Sequence, residues 1–249
     1  MNFRVVRDRL LGRLTVIAPR PRLCVPPEVG LAVPTFNRPQ YARASFASLR
    51  ASSLPKVMLA IVDDASSERE IVELVKEFAI PGVPAIKILK RRRQGFNAHE
   101  SLRLAWDLLA DDYGCRFFCC LDSDAVVKPD WLVRIRSLFD RESRRRGPLI
   151  VTGFNAHTHP VRSEGADFYL KQIVGGINMF FDAEMYREVV RPNLKFEPST
   201  GQGWDWHVIH EMERRGYPFL CTKPSVVQHI GRQGIYSTAS GGYDVAHDY

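Results

Sequence analysis

From Glu28 onward the chain repeats one unit four times: a short apolar run, a polar break, then residues spaced for one face of a helix. Strands separated by helices join through right-handed crossovers into a parallel sheet, and such a sheet binds ligands at the carboxyl ends of its strands. The apolar runs are Val29 to Val33 closed by Pro34, Val57 to Val62 leading into Asp63-Asp64, Ala85 to Leu89, and Arg116 to Leu121 leading into Asp122-Ser123-Asp124. Helices are expected from Gln40 to Ala51 after Pro39, from Glu68 to Phe78 with Ser66 and Ser67 as caps, and from Ala98 to Leu109. In the second of these, Ile71, Leu74, Val75 and Phe78 share one face. The expected fold class is α/β: a Rossmann-like, mostly parallel central sheet flanked by helices.

The rest of the chain is less regular. Helical spacing covers Trp131 to Phe139, Asp182 to Val190 and Trp204 to Arg214, and strands are expected at Leu149 to Thr152 and Tyr217 to Thr222. Arg141 to Arg146 reads as a solvated turn, Phe154 to Asp167 as a mobile polar loop, and Ile173 to Phe181 as an apolar segment around Gly175-Gly176. Residues 1–27 contain Pro19, Pro21, Pro26 and Pro27 and read as an extension ending in a stiff linker. Residues 28–236 then form one domain with halves at 28–124 and 125–236, and residues 237–249 a tail.

Charge narrows the partners. Thirty-five Lys and Arg against 28 Asp and Glu leave a net charge of +7, which favours an anionic partner such as a nucleotide, a nucleic acid or a phospholipid surface. A hydrophobic share of 45% with 25% charged residues excludes a disordered, collagenous or coiled-coil chain. Five cysteines without a CxxC pair suit reduced thiols, and no run of 18 apolar residues occurs, so a soluble cytoplasmic protein is expected.

The polar residues at the strand ends define a chemistry. Asp122 and Asp124 could reach one hard cation that also holds phosphate oxygens. Asp63-Asp64 supplies a hydrogen-bond acceptor and Lys90 to Arg93 supply anion donors at the same edge. A nucleoside diphosphate needs that combination.

Four motifs occur in order. The segments Ala32-Val33-Pro34-Thr35-Phe36-Asn37-Arg38, Val62-Asp63-Asp64-Ala65-Ser66-Ser67, Arg93-Gln94-Gly95-Phe96-Asn97-Ala98 and Asp122-Ser123-Asp124 together resemble the nucleotide-sugar glycosyltransferases of the GT-A fold, in particular the large family 2 group. The resemblance implies that Pro34, Thr35, Asn37, Arg38, Asp64, Arg93, Asn97, Asp122 and Ser123 hold the nucleotide of the donor, probed first as a UDP-sugar. It also implies a cation, Mn²⁺ or Mg²⁺, on Asp122, Asp124 and His229. Gly175, Gly176, Trp204 and Trp206 would border sugar and acceptor, and Asp205 in Gly203-Trp204-Asp205-Trp206-His207 would be the catalytic base of an inverting hexosyl transfer.

Each assignment has a plainer alternative. Asp205 could cap the helix that follows it, His229 could be an ordinary surface histidine, and Trp204 and Trp206 could pack beneath the helix. The acceptor stays open among a glycan, a lipid carrier at a membrane surface and a hydroxymethylated base of DNA, for which Arg141, Arg144, Arg145 and Arg146 would be the phosphate contacts. Two other classes are a nucleotidyltransferase, which would want a Gly-rich first loop where this chain has Pro34-Thr35-Phe36-Asn37, and an inactive GT-A domain that only binds glycan or nucleic acid.

Overall fold

The two interior strands of the first half, those that open with Val29 and Val57, are buried from end to end because helices cover both faces of the sheet. In the computed structural model, which describes residues 12–17, 26–93, 98–232 and 244–249, β1 (Leu14–Val16), β2 (Val29–Thr35), β3 (Val57–Asp63) and β4 (Ala85–Lys90) are followed by β5 (Phe117–Cys120). All seven residues of β2 and of β3 are buried, as expected for interior strands of a parallel sheet. The period of two still sorts their side chains. Leu31, Val33, Leu59 and Ile61 enter one core, while Ala32, Met58, Ala60 and Val62 enter the other.

Helices α1 (Pro39–Arg50), α2 (Arg69–Glu77) and α3 (His99–Asp111) connect these strands. Gly30 faces α3, where an added Cβ would stand 3.0 Å from Leu109, so the glycine sets how closely that helix approaches. The spatial order β4-β3-β2-β5 places a topological switch between β2 and β5. Their carboxyl ends, Thr35 on one side and Asp122 just beyond the other, flank the crevice where such sheets bind ligands.

The second half adds β6 (Ala125–Val127), α4 (Trp131–Arg146), β7 (Ile150–Thr152), β8 (Val161–Glu164), β9 (Phe168–Lys171) and β10 (Phe180–Asp182). A helical stretch of α5 (Ala183–Met185), a π-helical turn (Tyr186–Val190) and α6 (Arg191–Asn193) comes next. Finally α7 (Trp204–Arg215), β11 (Phe219–Thr222) and β12 (Val227–His229) complete the fold. The large sheet runs β1-β4-β3-β2-β5-β10-β7-β11-β9-β8, and only β1, β9 and β10 oppose the direction of the others. β12 pairs with β6 in a separate two-stranded ribbon, with His229 opposite Ala125.

Three local readings change. Residues 141–146 are not a turn but the last turns of α4. Glu142 is buried there and receives Arg141, Arg145 and Arg146. Burial alone would raise its carboxyl, but the Arg146 and Arg141 hydrogen bonds reverse this and leave it below the ordinary range. Arg141 also grips Asp167 through both terminal nitrogens. Three of the four arginines named for nucleic acid thus have structural partners. The expected polar loop is partly a hairpin, β8 and β9, closed at Gly165, where a Cβ would meet Phe168 at 2.4 Å. Between Ile173 and Phe181 the only strand residues are Phe180 and Phe181, which open β10.

Segments outside the central fold, residues 14–16 and 244–249, lie against the domain. Leu14 is buried and β1 pairs antiparallel with β4, while residues 244–249 lie against β12. Among the described residues no helix is long and apolar enough to cross a membrane. Cys115, Cys119, Cys120 and Cys221 are buried thiols, and burial pushes the Cys115 thiol up to about 12.

Candidate active site

The loop after β2 is built against steric preference. Asn37 (φ 50) and Arg38 (φ 57) both adopt the left-handed conformation, which costs a non-glycine residue about 1 kcal/mol or more. Hydrogen bonds offset that cost. Asn37 N–H donates to Ser66 Oγ at 2.8 Å, its Oδ1 accepts from the N–H groups of Ser67 and Glu68, and Arg38 N–H donates to Glu68. Thr35 Oγ1 donates to Asp63 Oδ1 at 3.0 Å, and Asp63 also holds Ser66. The side chains of Thr35 and Asn37, expected on the nucleotide, therefore bind the protein and shape the loop. Pro34 is buried inside β2 in register with Val62.

Asp64 begins a polar cluster. Its carboxylate accepts from Lys90 Nζ at 2.7 Å and lies 3.5 Å from Arg93 Nε, and Lys90 donates onward to Ser101 at 2.9 Å. The Lys90 and Asp64 side chains are only 5% and 6% exposed. The Arg93 guanidinium stacks 4.1 Å over the Phe36 ring, a cation–π contact. Phe36, Asp64, Lys90 and Arg93 thus form one wall. Phe36 was not singled out from sequence, although an aromatic residue in the first loop was a usable signal. Asn97 lies outside the described residues.

Because Lys90 neutralises a buried carboxylate, Lys90→Met should lower the unfolding free energy by about 3 kcal/mol. Urea denaturation reads this directly. A change below about 1 kcal/mol would mean that Arg93 alone suffices for Asp64.

Beyond β5, the Ala125 N–H bonds back to the Asp122 carbonyl at 3.0 Å, closing a turn through Ser123, which is buried. Arg38 Nη1 donates to Asp124 Oδ2 at 2.8 Å, and His229 Nε2 stands 3.5 Å from the same oxygen. His229 Nδ1 faces the Asp244 carbonyl at 3.1 Å. Burial disfavours a charged His229, but hydrogen bonding and charge from Asp124 outweigh it and raise its pKa. Burial, then the nearby Asp124, drives the Asp122 carboxyl well above its usual range, and Asp205 adds to this field.

The donors at Asp124 fit a divalent cation. Two ligands 3.5 Å apart can share an ion with bonds of about 2.0–2.2 Å. Gly231 keeps the space between them, since a Cβ there would lie 2.3 Å from Asp124 Oδ2 and 2.7 Å from His229 Nε2. Among the described residues no three acidic, imidazole or thiolate side chains converge on one point. Of the three ligands expected from sequence, Asp124 and His229 stand 3.5 Å apart, and Asp122 does not complete a three-ligand cluster with them. One carboxylate and one imidazole suit Mn²⁺, which accepts both, better than Mg²⁺, which takes oxygen ligands, and leave the rest of the shell to phosphate and water.

Asp205 sits inside the first turn of α7, with Gly203 at the cap position and no side-chain cap bond. Burial pushes its carboxyl upward, although Gly176 N–H donates to Oδ2 at 3.2 Å. Gly176 is a close-approach residue: a Cβ would lie 3.0 Å from Trp204 and 3.3 Å from Asp205. Gly175 lies against His159. Trp204 corrects the sequence reading, because it is buried with its ring 6.0 Å from Trp106 and cannot present a face to a sugar. Trp206 is 42% exposed beside Asp205, with its ring 6.1 Å from that of His210.

Residues 31–181, more than half of the chain, match the glycosyl transferase family 2 pattern. Among solved structures, the crystal structure of S. aureus TarS 1-349 aligns with a TM-score of 0.55 at 13% identity, over 82% of this chain and 61% of that one. Less than two thirds of that structure is therefore represented here, and the likeness speaks to fold. None of the curated proteins matches the chain in sequence. With the strand order, the strand-end acids and this match in agreement, the chain belongs to glycosyl transferase family 2 and has the GT-A fold.

Proposed function

We propose that the protein transfers a hexose from a UDP-sugar to an acceptor hydroxyl with inversion, using Asp205 as the base. The observation that carries this reading is Asp205 itself. It is a desolvated carboxylate, held by the Gly176 N–H and within the electrostatic field of Asp122 beside Asp124. A carboxylate with a raised pKa is a stronger proton acceptor than an exposed one.

The roles follow from position. Phe36, Asp64 and Arg93 border the nucleoside, with Lys90 keeping Asp64 oriented. Arg38 lies where it can donate to the diphosphate, and Asp124 and His229 would hold Mn²⁺ or Mg²⁺. Such a cation, when bound, stabilises charge developing on the diphosphate. Asp205 takes the proton of the acceptor hydroxyl as that oxygen attacks the anomeric carbon, and the exposed Trp206 ring offers the acceptor a stacking face. A glycan acceptor suits that face, whereas three of the four arginines that a DNA acceptor would rely on are already engaged by Glu142 and Asp167.

A donor screen by mass spectrometry tests the reading: UDP-, GDP- and dTDP-sugars are incubated with the protein and Mn²⁺, and hydrolysis is scored. UDP-sugar cleavage that needs the metal is the expected result. Equal UDP affinity with and without Mn²⁺ would sink the cation assignment, and preference for a GDP-sugar would overturn the donor.

A further inference from the structure

We propose that residues 244–249 are a positioning strap for the cation site, fixing His229 so that Nε2 faces Asp124. This rests on the cation reading above and adds a segment whose residues resemble no motif. A carbonyl oxygen only accepts, so the 3.1 Å contact between His229 Nδ1 and the Asp244 carbonyl places a hydrogen on Nδ1. With Nδ1 so engaged, Nε2 is the ring nitrogen left to face Asp124 Oδ2, 3.5 Å away. Histidine ligands are commonly set in this way by a partner on the opposite ring nitrogen.

The carbonyl is well anchored for the purpose. Gln228 clamps Ala246 at both backbone atoms, accepting from its N–H at 2.9 Å and donating to its C=O at 3.1 Å. Ala246 is buried and bridges Ala156, His157 N–H donates to the Val245 carbonyl, and Thr158 Oγ1 donates to the Asp244 side chain at 2.7 Å. Further along, Asp248 accepts from Ser225 Oγ at 2.5 Å and from Tyr169 OH at 3.2 Å. Ser225 also accepts from the Asn155 N–H, so the strap is tied to the β8–β9 side of the domain as well as to β12. A short segment held at both ends by side chains of the fold can hold one carbonyl still, which a free tail could not.

Two variants separate the strap from a general packing role. Gln228→Leu releases Ala246 next to His229. Asp248→Ala loosens the strap from its far end, where Asp248 accepts from Ser225 and Tyr169. Histidine ¹⁵N NMR on the protein without metal should show His229 protonated at Nδ1 in the wild type and a mixture of ring states in both variants. Mn²⁺ titration by electron paramagnetic resonance, with UDP present, should show affinity lower by about tenfold or more in the variants. Unchanged ring states in folded variants would overturn the strap. No Mn²⁺ binding by the wild type would instead refute the cation reading, and the NMR result would still decide whether the strap orients His229.

Discussion

Asp205→Asn should lower turnover by about a hundredfold or more while leaving donor affinity nearly unchanged, because the substitution keeps shape but removes the group that accepts the acceptor's proton. Its pH behaviour should separate base from bystander. Burial raises the Asp205 carboxyl, so the ionised base is present only above that raised pKa. Wild-type kcat/KM should therefore climb with pH along a limb displaced upward from the ordinary carboxylate range near 4. The Asn variant should lose that limb. Initial rates across pH for both proteins make the measurement. Turnover within about threefold of wild type would return Asp205 to a purely structural place in the first turn of α7.

Asp124→Ala should weaken Mn²⁺-dependent UDP binding by about a hundredfold or more, read as calorimetric affinity. Asp124 Oδ2 is the atom on which Arg38 and His229 converge, so its removal strips the cation of its carboxylate and leaves two basic groups facing each other. Gly231→Ala should act in the same direction without touching a charge, since its methyl would stand 2.3 Å from that oxygen. Asp122→Ala should be milder, because Asp122 does not complete a three-ligand cluster. A loss as severe in Asp122→Ala as in Asp124→Ala would make Asp122 the principal ligand.

Much of this site was legible along the chain, and the misses have common causes. Strand-end acids are readable because a parallel strand needs a continuous apolar run and must stop at a polar residue, which is how Asp64 and Asp124 stand out. Thr35 and Asn37 were legible as motif residues, but not the contacts they make within the protein. Nothing local says that a hydroxyl will be taken by Asp63, or an amide by the N–H groups of Ser67 and Glu68. Trp204 and Trp206, two positions apart, look equivalent in sequence, yet helical geometry sends one to Trp106 in the core and leaves the other exposed. The arginines of α4 read as solvated because charge density is a local property, whereas burial of Glu142 depends on what α4 packs against.

By itself, then, the sequence determined the alternation of strand and helix, the crevice at the carboxyl ends of β2 and β5, and the acids that line it. These depend on residue type and on periods of two and 3.6, which neighbouring residues carry. The tertiary structure alone decided that β12 pairs with β6, so that His229 reaches Asp124, that Arg38 meets the same oxygen, and that the Asp244 carbonyl stands behind the imidazole. Those contacts join segments far apart in the chain. Their geometry comes from how the sheet and ribbon pack, and no pattern of nearby residues records a register set at such a distance.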